Sequence, residues 1–215
     1  ASALRNATLS EEAVNALIPA LKDNNKEVRE NAAVAISNGP LSEETINLLI
    51  AALKDQNKYL RETATYSLKN ATQHSRVVTA LLSACEDKYY LVRESAATAL
   101  SNATQHAEAV NALIAALKDN DKEVRRAAAF ALSNATLSEE AVNTLIAALK
   151  DENEEVRASA ASALNNATQH AEAVNALIAA LKDENEEVRA SAAFALNNAT
   201  LSEEAVNTLI AALKD

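Results

Sequence analysis

The side chains able to do chemistry here are few, and their spacing is regular. His74, His106 and His170 fall in one repeating column where other copies carry Ser. Zinc wants three or four ligands, so two neighbouring imidazoles make a poor metal site, and the column reads as a surface position at helix starts. Cys85 stands where the other copies have Leu. No base shares its helix face, so it reads as a structural thiol and not as a nucleophile. Carboxylates are plentiful, as in Glu152, Glu154 and Glu155 and again in Glu184, Glu186 and Glu187. Acid–base catalysis needs a cleft that drives two carboxyl pKa values apart. Acids in turns and first helical turns instead complement the helix dipole, so a solvated acidic edge is expected. Asn-Ala-Thr recurs at Asn6, Asn70, Asn102, Asn134, Asn166 and Asn198. It is the N-glycosylation acceptor pattern, which matters in a secreted chain, and equally a place where Asn ends one helix and Thr begins the turn to the next. No catalytic residue, no metal site and no cofactor is expected, and the chain reads as a non-enzyme.

These positions are set by a repeat of 32 residues. Arg29, Arg61, Arg93, Arg125, Arg157 and Arg189 keep that spacing, as do Asp23, Asp55, Asp87, Asp119, Asp151, Asp183 and Asp215. Each copy reads as two helices, A and B. In the first copy, Glu11 to Lys22 carries Val14, Leu17, Ile18 and Leu21 at i, i+3, i+4, i+7, one buried helical stripe. Ser10 before Glu11 and Glu12 supplies a cap and acids for the positive helix end. After Asp23-Asn24-Asn25-Lys26, helix B is predicted from about Glu27 to Ser37, with Val28, Ala32, Ala35 and Ile36 inward. Asn38 and its equivalents are predicted to close helix B in the left-handed cap conformation that Asn tolerates. A helices are predicted to start near 11, 43, 75, 107, 139, 171 and 203, and B helices near 27, 59, 91, 123, 155 and 187. Residues 1–6 match the tail of a further B helix.

Composition agrees. One Gly, two Pro and 3% aromatics leave Ala, Leu, Glu and Lys in charge, so the fold class is all-α with helices packed closely through small side chains. A net charge of −10 opposes general attraction to nucleic acid or anionic lipid. No apolar run approaches the roughly 18 residues of a membrane span, so no membrane insertion is expected. A single Cys fits a reducing, cytoplasmic compartment better than a secreted one.

The run Ala116 to Leu132, ALKDNDKEVRRAAAFAL, resembles HEAT repeats, particularly the short bacterial HEAT-like type also found in phycobilin lyases. The resemblance covers the whole chain and implies one elongated right-handed α–α superhelix of about seven two-helix units over residues 1–215. It implies that the turn Asp and the Arg opening helix B form a ladder along the stack, through Asp23, Arg29, Asp55, Arg61, Asp87, Arg93, Asp119, Arg125, Asp151, Arg157, Asp183 and Arg189. It also implies a concave face lined by the B helices, with the columns of 27, 30, 34 and 37 exposed. One departure is Asn-Ala-Thr in the connecting loop where members of the family usually carry Gly.

The column of residue 34 runs Val34, Tyr66, Thr98, Phe130, Ser162 and Phe194. A buried column would not exchange Phe for Ser between near-copies without leaving a cavity. Tyr59, Tyr66, Leu91, Phe130 and Phe194 are therefore candidate contacts for a protein or peptide partner; the alternative is that such rings fill gaps between Ala-rich helices. Residues 102–151 and 166–215 share 44 of 50 positions, which reads as recent duplication of a natural array or as partial consensus design. The chain opens inside a B helix and stops after an A helix. Open apolar ends would also suit self-association, stacking end to end into fibres or tubes. A subunit related to bilin lyases is a third reading.

Overall fold

Ser10 and Ser42 begin their helices for the same local reason. Each hydroxyl accepts the backbone N–H three residues on, from Ala13 and Thr45, and two glutamates follow in the first turn. The computed structural model describes residues 10–197, 199 and 206, all helix, 3₁₀ turn or loop with no strand among them. The expectations for residues 1–6, for the helix starting at 203 and for the open ends lie outside the described residues. The chain divides into two compact units, Ala1–Ala103 and Thr104–Asp215.

In the first unit the helices are α1 (Glu11–Leu17), α2 (Lys26–Asn38), α3 (Glu43–Ala52), α4 (Lys58–Ser67), α5 (Ser75–Ala84) and α6 (Tyr90–Leu100). Within the second they are α7 (Ala107–Ala116), α8 (Lys122–Leu132), α9 (Glu139–Ala148), α10 (Glu154–Ala163), α11 (Ala171–Ala180) and α12 (Glu186–Leu196). Odd-numbered helices are A helices and even-numbered ones B helices. Each A helix packs on the B helix that follows, and B helices pack on B helices: α2 on α4 and α4 on α6, then α8 on α10 and α10 on α12. A-on-A contact (α3 on α5, α9 on α11) is less extensive. The described A helices start where the sequence puts them. The B helices start one residue early; in all but α6 the capping side chain is Asn25, Asn57, Asn153 or Asn185, or Asp121 in the fourth copy, while α6 starts after Tyr89 without a side-chain cap.

The core is two columns of large side chains. Leu49, Leu81, Leu113, Leu145 and Leu177 come from A helices, and Ile36, Leu68, Leu100, Leu132 and Leu164 from B helices, all fully buried. Between B helices lies a column of alanines, Ala32, Ala64, Ala96, Ala128, Ala160 and Ala192, exposed by no more than 5%. Methyl-sized side chains there let the backbones approach, and truncating one of the leucines would cost about 2–5 kcal/mol.

Three local expectations are corrected. The helix predicted over Glu11 to Lys22 is α-helical only to Leu17 and continues as a 3₁₀ turn, Ile18–Lys22. Pro19 has no N–H to give Asn15, and the Ile18 N–H bonds the Asn15 carbonyl instead. Val28 is 39% exposed, whereas its equivalents Leu60 and Val92 are buried. No described residue has a positive φ, so Asn does not close helix B left-handed. These helices tighten into right-handed 3₁₀ closures, as at Leu68–Asn70 and Leu164–Ala167.

The Asn side chains have another use. Asn70 Nδ2 donates to the Ser37 carbonyl at 2.7 Å, Asn102 Nδ2 to Lys69 at 2.9 Å, and Asn166 Nδ2 to Ser133 at 2.5 Å. Two residues on, Thr72 Oγ1 donates forward to the Asn102 carbonyl at 2.9 Å and Thr104 Oγ1 to Asn134 at 3.0 Å. The middle alanines, Ala71, Ala103, Ala135 and Ala167, are buried. Asn-Ala-Thr is thus a coupling device between successive repeats, one arm back and one forward around a buried methyl.

Candidate functional site

The turn between helices A and B is built from one carboxylate and one guanidinium. Asp87 Oδ1 accepts the N–H of Tyr89, and Asp151 and Asp183 hold Asn153 and Asn185 in the same way. Arg61 reaches both neighbouring turns. Its Nη1 donates to the carbonyls of Asp55 and Gln56, while Nε and Nη2 form a two-pronged pair with Asp87 at 2.7 and 2.9 Å. Arg125 does this with Asp119, Asn120 and Asp151, and Arg157 with Asp151, Glu152 and Asp183. Burial alone would push the Asp87 and Asp151 carboxyls up; the hydrogen bonds from arginine and from the turn N–H outweigh it and hold both below the usual carboxylate range. At Asp183 the Arg157 hydrogen bond is the largest effect, with the same outcome.

The first rung is different. Arg29 Nη1 donates to the Asp23 and Asn24 carbonyls at 2.8 and 3.1 Å, but among the described residues Arg29 makes no ion pair with Asp55. Its guanidinium lies 4.2 Å from the centroid of the Tyr59 ring, and Asp55 pairs loosely with Lys22 at 3.7 Å. Tyr59 occupies a column that holds Glu27, Leu91, Glu123, Glu155 and Glu187 in the other copies; there the ring offers the arginine a face in place of a carboxylate. Arg93 Nη1 donates to the Asp87 carbonyl and Arg189 Nη1 to those of Asp183 and Glu184.

The face of the B helices carries the aromatic side chains. In the second unit Phe130 and Phe194 are 58% and 63% exposed, and Ser162 between them is half-buried. Beside Phe130, Arg126 is paired with Glu123 at 3.0 Å and Glu155 at 3.4 Å. In the first unit Tyr59 is 38% exposed, and Tyr66 and Leu91 are half-buried. Tyr59 packs edge-on to Tyr89 and Tyr89 to Tyr90, with ring centroids 6.1 and 5.6 Å apart. Lys58 lies over Tyr59 and Tyr89, while Lys69 donates to the Tyr66 hydroxyl at 2.8 Å and sits over that ring. Of the columns expected to be exposed, that of residue 37 is corrected at its first member: Ser37 is buried, its hydroxyl turned back onto the Val34 carbonyl.

A cavity of about 300 Å³ opens among α2, α4 and α6. Its walls include Glu30, Val34, Glu62, Tyr66 and Ser95. Glu62 is half-buried, and its carboxylate makes no hydrogen bond or ion pair to a described residue. Burial pushes this carboxyl up, against the pull of Arg29 and Lys26. The small residues Ala33 and Ser95 also line the hollow.

Elsewhere the chemistry is sparse. Among the described residues no group of three or more His, Cys, Asp or Glu could hold a metal ion. His74 lies 3.8 Å from Glu43, which also pairs with Arg76. Burial, with the nearby Glu86, pushes the Cys85 thiol up to about 12, which leaves it protonated and unreactive at neutral pH. No helix among the described residues is long and apolar enough to cross a membrane.

Paired helices, an alanine seam and an Arg–Asp turn are thus repeated along the chain, and the pattern of HEAT repeats matches residues 1–69, 46–133, 78–165, 110–197 and 142–215. The chain belongs to the HEAT-repeat family. Among solved structures, this HEAT chain is similar to the Escherichia coli protein YibA, at 23% identity and a TM-score of 0.64 over 95% of this chain and 82% of that one. It is also similar to a designed armadillo repeat protein in complex with the peptide (KR)4, at 21% identity and a TM-score of 0.62 over 88% and 99% of the two chains. Human deoxyhypusine hydroxylase is similar at 26% identity and a TM-score of 0.50 over 88% and 74%. None of the curated proteins matches the chain.

Proposed function

We propose that this HEAT chain is a non-enzymatic scaffold that binds a protein or peptide segment on the face lined by its B helices. The observation that carries the reading is the exposure of Phe130 and Phe194, at 58% and 63%, on a framework with an aliphatic core of alanine, leucine, valine and isoleucine. Their column accepts Ser162 in a near-identical copy, so packing does not call for phenyl rings there. Exposed aromatic side chains on a rigid frame are the usual anchors of a protein interface. Within each unit the B helices pack on one another more extensively than the A helices do, which favours an inward-curving B face. Tyr59, Tyr66 and Leu91 are the corresponding contacts in the first unit. A similar fold holding a peptide, as the designed armadillo protein does, supports the same use.

The test is selection of binders from a displayed random-peptide library on the full chain, followed by affinity measurement on Phe130→Ser/Phe194→Ser. The double variant is expected to melt at nearly the wild-type temperature and to bind the selected peptides roughly tenfold or more weakly. Unfolding of that variant would mean the rings serve packing, and unchanged affinity would place binding elsewhere.

A further inference from the structure

We propose that the cavity among α2, α4 and α6 is a subsite for a cationic side chain, by preference an arginine, presented by a bound peptide or protein segment. This rests on the scaffold reading above and names the chemistry of the partner in the first unit. The cavity supplies what an arginine needs. Glu62 offers a carboxylate that is half-buried, faces the hollow and has no hydrogen bond or ion pair to a described residue. A planar guanidinium answers such a group with two parallel hydrogen bonds. Glu30 adds a second carboxylate on the same wall set. Its present partner, Lys26, is an exposed neighbour on the same helix at 3.3 Å, a pairing weak enough to be shared. Val34 gives the aliphatic stem an apolar surface, and the Tyr66 ring lines the same hollow. Lys69 lies over one face of that ring, so the two carboxylates, and not that face, place the guanidinium.

Other occupants fit less well. An anion would meet two carboxylates. A divalent metal would find two side-chain carboxylates in the hollow and no cluster of three ligands. A neutral apolar group would leave the Glu62 carboxylate desolvated and unanswered, which is the costly arrangement. The protein's own nearby guanidinium, Arg29, is held by the Asp23 and Asn24 carbonyls and the Tyr59 ring. The net charge of −10 favours the approach of a basic segment, and the cavity gives that attraction an address.

The experiment uses the full chain and a fluorescein-labelled octapeptide of alternating Lys and Arg, read by fluorescence anisotropy at about 150 mM salt, where attraction beyond about 8 Å is screened. Glu62→Gln removes the charge and keeps the shape. Ser95→Leu keeps the charge and fills the hollow. Glu108→Gln removes one exposed carboxylate in the other unit. The first two are each expected to weaken binding roughly tenfold, and the third to change it less than about twofold. Replacing the arginines of the peptide by citrulline should weaken it for the wild type and abolish its sensitivity to Glu62→Gln. Equal losses in Glu62→Gln and Glu108→Gln would reduce the effect to bulk charge and overturn the subsite. Should Ser95→Leu fail to fold, Glu62→Gln and the citrulline peptide decide alone. If both pocket variants bind normally while Phe130→Ser/Phe194→Ser weakens the same peptide, the subsite is wrong and the scaffold reading stands. A peptide that does not bind the wild type up to millimolar concentration also overturns the subsite, and the library selection then judges the scaffold reading separately.

Discussion

The two-pronged pair between Arg125 and Asp151 differs in energy from the loose pair between Lys22 and Asp55, although Asp55 and Asp151 belong to the same column. The Asp151 and Arg125 side chains are 12% and 10% exposed, so removing one partner strands a charge in a poor solvent, at a cost of about 3 kcal/mol. Asp55 faces Lys22, which is 60% exposed, and such pairs contribute less than about 1 kcal/mol. Asp151→Asn should therefore destabilise the chain by about 3 kcal/mol and Asp55→Asn by less than about 1 in urea unfolding. The acid profile carries the same distinction. Asp87, Asp151 and Asp183 have folded pKa values below the ordinary one. Their stabilisation is present above the unfolded value of about 3.9 and is lost as pH falls through the folded values. Melting temperature should fall below about pH 4, and less steeply in Asp151→Asn than in the wild type. Equal costs for the two substitutions would mean that the rungs are energetically alike despite their geometry. The two columns are plain in the sequence. The missing first rung is not, because it depends on where the Tyr59 ring comes to rest, 4.2 Å from a guanidinium 30 positions earlier.

Helix starts are more legible than helix ends. Ser10, Ser42 and Ser138 cap their own helices through a hydroxyl three residues away, a bond that local sequence encodes fully. The ends are governed by residues some 30 positions distant: Asn70 bonds Ser37, and Thr72 bonds Asn102. Reading one repeat alone assigns such an Asn to a left-handed cap, since Asn tolerates it; the neighbouring repeat supplies the carbonyl that makes the cap unnecessary. Ala71 could stand between Asn70 and Thr72 because the junction stays right-handed. Only Asn38-Gly39-Pro40 departs from the tripeptide, and there a Cβ on Gly39 would come within 2.4 Å of Val14 Cγ2. The junction can be tested at Thr72, which is 5% exposed. Thr72→Val keeps the shape and removes the donor, leaving the Asn102 carbonyl without it, so a loss of about 1–3 kcal/mol is expected. Thr72→Ser keeps the donor and should lose less. If valine proves neutral, the junction is held by the buried alanine and not by its hydrogen bonds.

At the scale of the molecule the question is whether a repeat is an interchangeable part. A stack in which each unit touches only its neighbours has a stability close to a sum of repeat and interface terms. The second unit offers a clean case, because α8 on α10 and α10 on α12 present the same alanine and leucine columns, and because Asn134 and Asn166 begin the same tripeptide after Ser133 and Asn165. Deleting residues 134–165 joins Ser133 to Asn166-Ala167-Thr168 and brings Phe130 and Phe194 into adjacent repeats. The ladder survives in register, since Arg125 would then meet Asp183 where it now meets Asp151, and both aspartates are set by the same turn. The shortened chain is expected to fold with unchanged helical content per residue, and its urea m-value should fall by roughly one-seventh, in proportion to the surface removed. Its phenyl rings, now a single repeat apart at roughly 8–10 Å, should no longer fit peptides selected on the parent chain. Entrances to the A helices alternate between Thr-Gln-His, at Thr104 and Thr168, and Thr-Leu-Ser, at Thr136 and Thr200, and a deletion variant that aggregates or loses cooperativity would show that two consecutive repeats are the smallest unit that stacks.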